Sequence, residues 1–259
     1  MDYQQMRGKI AYVTGAAGGI GSAVSRALGA RGVLVAAADR DTERLQLEVK
    51  ELVNTGLSAA AFPVDVTSSA EVEASVAAVE RELGPIDFLV NAAGVLRCGP
   101  AVALSDEDWE TTFAVNAFGA FYVSRAVANR MIGRRGGAVV TVASNAAAVA
   151  RSGMAAYAAS KAAVTSFTKC LGLEVAEYGI RCNVVAPGST DTEMLSALWS
   201  GGDWKRNSID GVAESYRVGI PLGKVAVPAD IADAVLFLLS DRSGHITMHS
   251  LTVDGGASL

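Results

Sequence analysis

Tyr157 and Lys161 stand four residues apart, a spacing that on a helix puts a phenol and an ammonium on one face, a turn apart. A cation beside a tyrosine favours the phenolate and lowers a pKa that is ordinarily about 10, which is what a tyrosine needs to exchange protons near neutral pH. Tyr157 is therefore a candidate acid/base. The same spacing also arises as an ordinary surface pair, so its meaning depends on the elements that place it.

Those elements alternate. Ile10 to Thr14 reads as a first strand, Ile20 to Ala30 as a helix entered through glycines, and Val33 to Ala38 as a second apolar strand that stops at Asp39. Thr42 to Asn54 has charged and apolar residues at helical spacing, Ala59 to Val64 is a third strand, and Ser69 to Leu83 a helix capped by Ser68 or Ser69. Ile86 to Val90 makes a fourth strand, ending in Asn91-Ala92-Ala93-Gly94. Ser105 opens a long helix with an acidic first turn, running to about Ile132. Gly137 to Ala143 forms the fifth strand, ending at Ser144. The helix bearing Tyr157 reaches about Tyr178, and Ile180 to Val185 is a sixth strand closed by Pro187-Gly188. Residues 189–219 include Trp199, Gly201, Gly202 and Trp204 and lack clean periodicity, which suggests a mobile substrate cover or else a merely disordered loop. Pro228 opens a last helix through Leu239, and Ser250 to Val253 is a final strand. This order predicts one α/β domain over 1–259, a doubly wound parallel sheet covered on both faces.

Composition narrows the function. With 51% hydrophobic residues, 27 glycines and a mean hydropathy of +0.31, the 259-residue chain can bury a large core. A net charge of -5 without any Lys/Arg cluster argues against nucleic acid or an anionic membrane as partner. No apolar run approaches the ~18 residues of a membrane span, and Met1 to Met6 has no signal pattern, so a cytoplasmic protein is expected. Cys98, Cys170 and Cys182 are scattered and read as reduced thiols. His245 and His249 are four apart but have no evident third ligand, so no metal is expected.

The stretch Thr14 to Gly21 lies between the first strand and its helix, where Gly15, Gly19 and Gly21 permit a tight turn and let backbone amides approach a pyrophosphate. The spacing is not GxGxxG, so that fingerprint does not apply as written. Asp39, at the end of the second strand, can accept both hydroxyls of an adenosine ribose and would repel a 2′-phosphate. NAD is thus favoured over NADP, although Arg40 beside it could stack on adenine or bind that phosphate. Asp65-Val66 could hold the adenine edge, and Asn91 to Gly94 could line the adenosine channel; each could also be a simple strand-end turn.

Thr14 to Gly21, Asn91-Ala92-Ala93-Gly94, Asn116, Ser144, Tyr157-x-x-x-Lys161 and Pro187-Gly188, taken in order, resemble the short-chain dehydrogenase/reductase superfamily over essentially the whole chain. Ala92 departs from the family pattern, which has a second asparagine there. Further stretches, strongest after residue 86, resemble members that oxidise a carboxylated cyclohexadiene diol with NAD: Asn91 to Arg97, Thr112 to Asn116, Arg151-x-Gly153-Met154, Arg181 to Val185, Pro187 to Thr192 and Ile220 to Lys224. The resemblance implies a Rossmann-like sheet, Tyr157 as acid/base, and Lys161 lowering its pKa and holding the nicotinamide ribose. It also implies Ser144 positioning the reacting oxygen, Asn116 supporting a proton-relay water, and Gly15, Gly19, Ile20, Gly21, Asp39, Asp65, Val66, Asn91, Gly94, Pro187, Gly188 and Thr192 on the cofactor. A homotetramer is the family's usual assembly. The substrate carboxylate needs a guanidinium, and Arg97 and Arg151 are the candidates, with Met154 as an apolar wall. An amine beside the carboxylate in place of the ring hydroxyl would suit the same residues. A ketoacyl reductase would sooner carry basic residues at Asp39, and a non-catalytic dinucleotide-binding protein would not need the Tyr157 set.

Overall fold

Ile10–Thr14 (β1) is built of residues that suit a strand buried on both faces, and all five are buried. The computed structural model describes residues 3–196 and 203–258, so Trp199, Gly201 and Gly202 lie outside the described residues. After β1 come α1 (Gly19–Gly29), β2 (Leu34–Asp39), α2 (Thr42–Asn54), β3 (Ala59–Pro63), α3 (Ser69–Glu82) and β4 (Phe88–Asn91). Then α4 (Asp106–Phe113), a π-helical turn at Ala114–Gly119, α5 (Ala120–Arg134), β5 (Gly137–Val142), α6 (Ala155–Val175) and β6 (Ile180–Pro187) follow. The remainder holds α7 (Glu193–Ser196), α8 (Trp204–Asp210), a two-strand ribbon β7 (Gly211–Val212) and β8 (Arg217–Val218), α9 (Pro228–Leu239) and β9 (Ser250–Val253).

Seven strands form one parallel sheet in the order β3-β2-β1-β4-β5-β6-β9, the doubly wound arrangement expected from the alternating elements. Side chains alternate across it. Ala11, Val13, Val35 and Val90 face α1 and α9 through Val24, Leu28, Ile231 and Val235. Tyr12, Ala36 and Leu89 face α3 and α5 through Val72, Val76, Val123 and Val127. Each such fully buried large aliphatic contributes about 1.5–3 kcal/mol of transfer free energy. Among the described residues, no helix is long and apolar enough to cross a membrane.

The long helix expected from Ser105 is present, running as α4, a π turn at Ala114–Gly119 and α5. The π turn sits where tertiary contacts fix the chain: the Asn116 carboxamide is pinned to the backbone of Val95 and to Ser160, and a Cβ on Gly119 would lie 2.7 Å from Val66 Cγ2. The insert at 189–219, expected to lack periodicity, holds regular structure within its described residues. Asp203 caps α8, and at Gly211, with φ +85°, a Cβ would lie 2.6 Å from the carbonyl of Arg217, so glycine lets the ribbon close there.

Candidate active site

In a doubly wound sheet the helices diverge on either side of the switch strand, leaving a crevice at the carboxyl ends of the strands. Here the crevice opens over β1 and β4. Gly15 takes φ +67°, and a Cβ there would lie 2.6 Å from the nitrogen of Ala93 in the turn after β4. A Cβ on Gly21 would lie 2.1 Å from the carbonyl oxygen of Gly15, so only glycine allows α1 to start this close to the turn. Thr14 ties the two turns, its Oγ1 accepting from the nitrogens of Ala92 at 3.2 Å and Ala93 at 3.4 Å.

One half of the crevice is lined by Gly15, Gly19, Ile20, Gly21, Asp39, Arg40, Asp65, Val66 and Gly94. Asp39 is held by the backbone, its Oδ2 accepting from Ala17 N and its Oδ1 from Asp41 N, both at 3.1 Å. Asp65 Oδ1 accepts from Thr67 N at 2.9 Å, which fixes that carboxylate at the rim. The anticipated Asn91 is absent from this lining. Its buried carboxamide turns inward, donating to Ser124 Oγ at 2.9 Å and Thr141 Oγ1 at 3.3 Å, so it fastens β4 to its neighbours.

The other half shares Ile20, Ala92, Gly94, Thr192 and Met194 with the first and continues past Ser144, Met154, Tyr157, Lys161, Pro187 and Gly188. These side chains come from the end of β5, the first turns of α6 and the end of β6, three places that sheet order makes adjacent. Thr192 opens α7 and sits against the glycine turn, where a Cβ on Gly19 would lie 2.8 Å from Thr192 Cγ2.

Tyr157 hydrogen bonds with Ser144, and Lys161 lies under both with Nζ 5.7 Å from the tyrosine ring centroid. The lysine is buried and donates to the carbonyl of Val142 at 2.9 Å. Burial raises the Tyr157 pKa above its ordinary value, with the Ser144 hydrogen bond opposing it in part. Burial also pulls Lys161 down to about 8. Both groups share the same dry floor, and in it burial is the larger influence on the tyrosine.

Two more expected residues are placed differently. The Asn116 side chain does not line the crevice: Oδ1 accepts from Val95 N at 2.8 Å, and Nδ2 donates to Val95 O and Ser160 Oγ, each at 3.0 Å. It holds the floor together from below, where a Cβ on Gly94 would lie 3.4 Å from both Asn116 Oδ1 and Lys161 Nζ. Arg97 is on the surface, its Nε 3.4 Å from Asp108 Oδ1, and it lines neither half.

Arg151 does line the substrate-sized half, its Nη2 donating to the carbonyl of Ala257 at 2.9 Å. Arg217 lines the same half, and the sequence did not point to it because a single arginine in an unpatterned insert gives no signal. Asn145 was missed likewise; its Nδ2 donates to Asp254 Oδ2 at 3.2 Å, joining the crevice wall to the C-terminal turn. Among the described residues lining this half none is acidic, in a chain of net charge -5. The arrangement can hold an anion next to a tyrosine able to move a proton.

Residues 9–202 match the family model described as short chain dehydrogenase. The chain is 56% identical over 259 residues to a Bacillus subtilis (strain 168) protein named 2,3-dihydro-2,3-dihydroxybenzoate dehydrogenase, covering 100% of this chain and 99% of that one. It is 45% identical to a protein of the same name from Escherichia coli (strain K12), over 97% and 98% of the two chains. A crystal structure of a putative gluconate dehydrogenase from Agrobacterium tumefaciens superposes with TM-score 0.91 at 28% identity, covering 100% of this chain and 99% of its own.

Proposed function

The chain belongs to the short-chain dehydrogenase family, and from that premise we propose that it oxidises the C3 hydroxyl of 2,3-dihydro-2,3-dihydroxybenzoate to give 2,3-dihydroxybenzoate, within the synthesis of catechol siderophores or related aryl acids. The observation that carries this reading is the Ser144–Tyr157 pair on the floor of a half-crevice that holds Arg151 and, among the described residues, no acid, in a chain whose relatives bear that name. The family requires a nicotinamide dinucleotide, and the residues fit one: Gly15 and Gly21 leave room that any Cβ would fill, beside the amino-terminal end of α1. Asp39 supports NAD, since its carboxylate suits free ribose hydroxyls and opposes a 2′-phosphate.

When bound, the dinucleotide supplies the hydride acceptor. Tyr157 as phenolate takes the proton of the C3 hydroxyl, and Ser144 holds that oxygen by a hydrogen bond. Lys161 would place a positive charge beside the phenolate and hold the ribose of the dinucleotide, and Thr192 with Pro187 and Gly188 would hold its nicotinamide. Asn116 acts as a positioning residue through Val95 and Ser160 rather than by touching the reacting atoms. The ring ketone formed at C3 tautomerises, with loss of the C2 proton to solvent and gain of one at the oxygen, to the catechol. Aromaticity makes the reaction one-way. The relatives' names support a hydroxyl rather than an amine at C2.

Oxidation needs the phenolate, and the Tyr157 pKa is raised, so kcat/KM should climb with pH from 7 as the phenol ionises, and the climb should be blunted above about 8, where Lys161 loses its charge. The Ser144 hydrogen bond is the contribution that lowers this pKa, so Ser144→Ala should move the rising limb to higher pH as well as lower its height. A pH–rate profile of the two proteins with the same limb position would contradict the Ser144 role. Arg151→Ala should raise KM for the carboxylated substrate about 10- to 100-fold, whereas Arg97→Ala, whose partner is Asp108, should leave it unchanged; steady-state kinetics showing the reverse would move the carboxylate site.

The same reading makes 189–219 a substrate cover, and it places the protein in the cytoplasm, which three cysteines without disulfides support. It also makes the protein a homotetramer, for which exposed Trp109, Phe118, Phe121 and Leu173 on α4, the π turn, α5 and α6 offer apolar contact.

A further inference from the structure

Arg217 lies on β8, paired in antiparallel register with Val212, and its guanidinium lines the same half-crevice as Arg151, Ser144 and Tyr157. Several features of the chain aim it there. Tyr216, immediately before it, takes the left-handed conformation with φ 52°, which costs a non-glycine residue roughly 1 kcal/mol. Gly211 permits the tight return of the ribbon, and Arg217 Nη2 donates to Ser189 Oγ at 2.7 Å, directly after the Pro187-Gly188 end of β6. The insert is therefore fastened at its base by the residue that it brings to the crevice.

Two guanidiniums share one space, and Arg151 depresses the Arg217 pKa by like-charge repulsion on top of the larger effect of burial. An anion held in that space would meet both positive charges. The described residues lining this half supply no carboxylate, and Arg151 reaches only a backbone carbonyl and the field of Asp254. Arg97, the other candidate, is engaged outside.

We infer that Arg217 is a specificity-determining residue that closes on the substrate carboxylate from the insert side while Arg151 holds it from the sheet side, a two-arginine clamp that makes the enzyme select ring acids over neutral diols. The inference rests on the proposed dihydrodiol oxidation and deepens it, since neither arginine alone fixes the ring's orientation. A carboxylate presents two oxygens in a plane, so one guanidinium can take them as a fork while the second takes an outer lone pair. With the acid gripped on two sides, the C3 hydroxyl is left facing Tyr157.

Binding to the NAD-loaded protein, measured by calorimetry with 2,3-dihydroxybenzoate and with catechol, tests this. Arg217→Met should weaken the acid about 10- to 100-fold and catechol less than about threefold. Arg217→Lys, which keeps the charge and loses the fork, should fall between; Ser189→Ala, which unfastens the guanidinium, should show a smaller loss of the same kind. If Arg217→Met does not fold by thermal melting, the Lys and Ser189 variants carry the test. An acid preference that survives in these variants, or an equal loss for both ligands, overturns the clamp. A wild type that fails to turn over the dihydrodiol overturns the proposed reaction instead, and the clamp is then read from benzoate against benzamide binding in the same variants.

Discussion

Replacing Tyr157 with phenylalanine should lower kcat for dihydrodiol oxidation by about 10³-fold, within the range of a lost general base, while NAD titration still reports near-normal affinity. Only the phenolic oxygen is removed. The ring keeps its place at the start of α6, Lys161 keeps its bond to Val142, and Ser144 loses one partner but keeps the nitrogen of Ala146 at 3.1 Å. The lost hydrogen bond costs about 1 kcal/mol of stability at most, too little to explain a catalytic loss of this size. A variant that retains a tenth or more of wild-type kcat would mean that water or another group takes the proton.

Lys161→Met should separate activity from stability. The wild-type ammonium is buried and its pKa lies at about 8, below the 10.5 of an exposed lysine. At pH 7 folded and unfolded chains both carry the proton, so the desolvation penalty is fully present, on the order of 3 kcal/mol by linkage. It is relieved as pH rises from about 8 to 10.5, because there the unfolded chain binds more protons than the folded one. Methionine fills similar space without charge but leaves the carbonyl of Val142 unbonded, which costs roughly 1–3 kcal/mol. The two contributions nearly offset, so Tm at pH 7 should hold or rise, and the stability gain between pH 8 and 10 expected of the wild type should vanish. Turnover should fall about 100-fold or more, since the phenolate then loses the charge beneath it. Thermal melts at pH 7 and 9.5 beside initial rates check this; stability and activity falling together would make Lys161 a structural residue.

Much of this was written locally in the chain. Asp41 and Ser68 cap α2 and α3 where the sequence has capping residues, and Pro228 opens α9 where its missing N–H does no harm. The glycine turn, Asp39, Ser144 and the Tyr157/Lys161 spacing were legible because each sits at the end of a strand or on a helix whose period is plain. What was not legible depends on partners far along the chain. The π turn sits where Asn116 finds Val95 and Ser160, and Asn91 faces inward because Ser124 and Thr141 are there to meet it. Arg97 looked equal to Arg151 until Asp108 claimed it. Arg217 reaches the site only through the ribbon, the left-handed Tyr216 and Ser189, none of which has a periodic signature. The tyrosine pKa follows from how dry the floor is, and a four-residue spacing says nothing about that.

The most direct test offers the purified protein NAD or NADP with 2,3-dihydro-2,3-dihydroxybenzoate and, separately, with trans-2,3-dihydro-3-hydroxyanthranilate, and follows the absorbance of the reduced cofactor. The expected result is rapid reduction of NAD by the dihydroxy acid, much slower reduction of NADP, and accumulation of 2,3-dihydroxybenzoate in equal amount to the reduced cofactor. No reduction with the dihydroxy acid, or a clear preference for the amine-bearing acid, would contradict it.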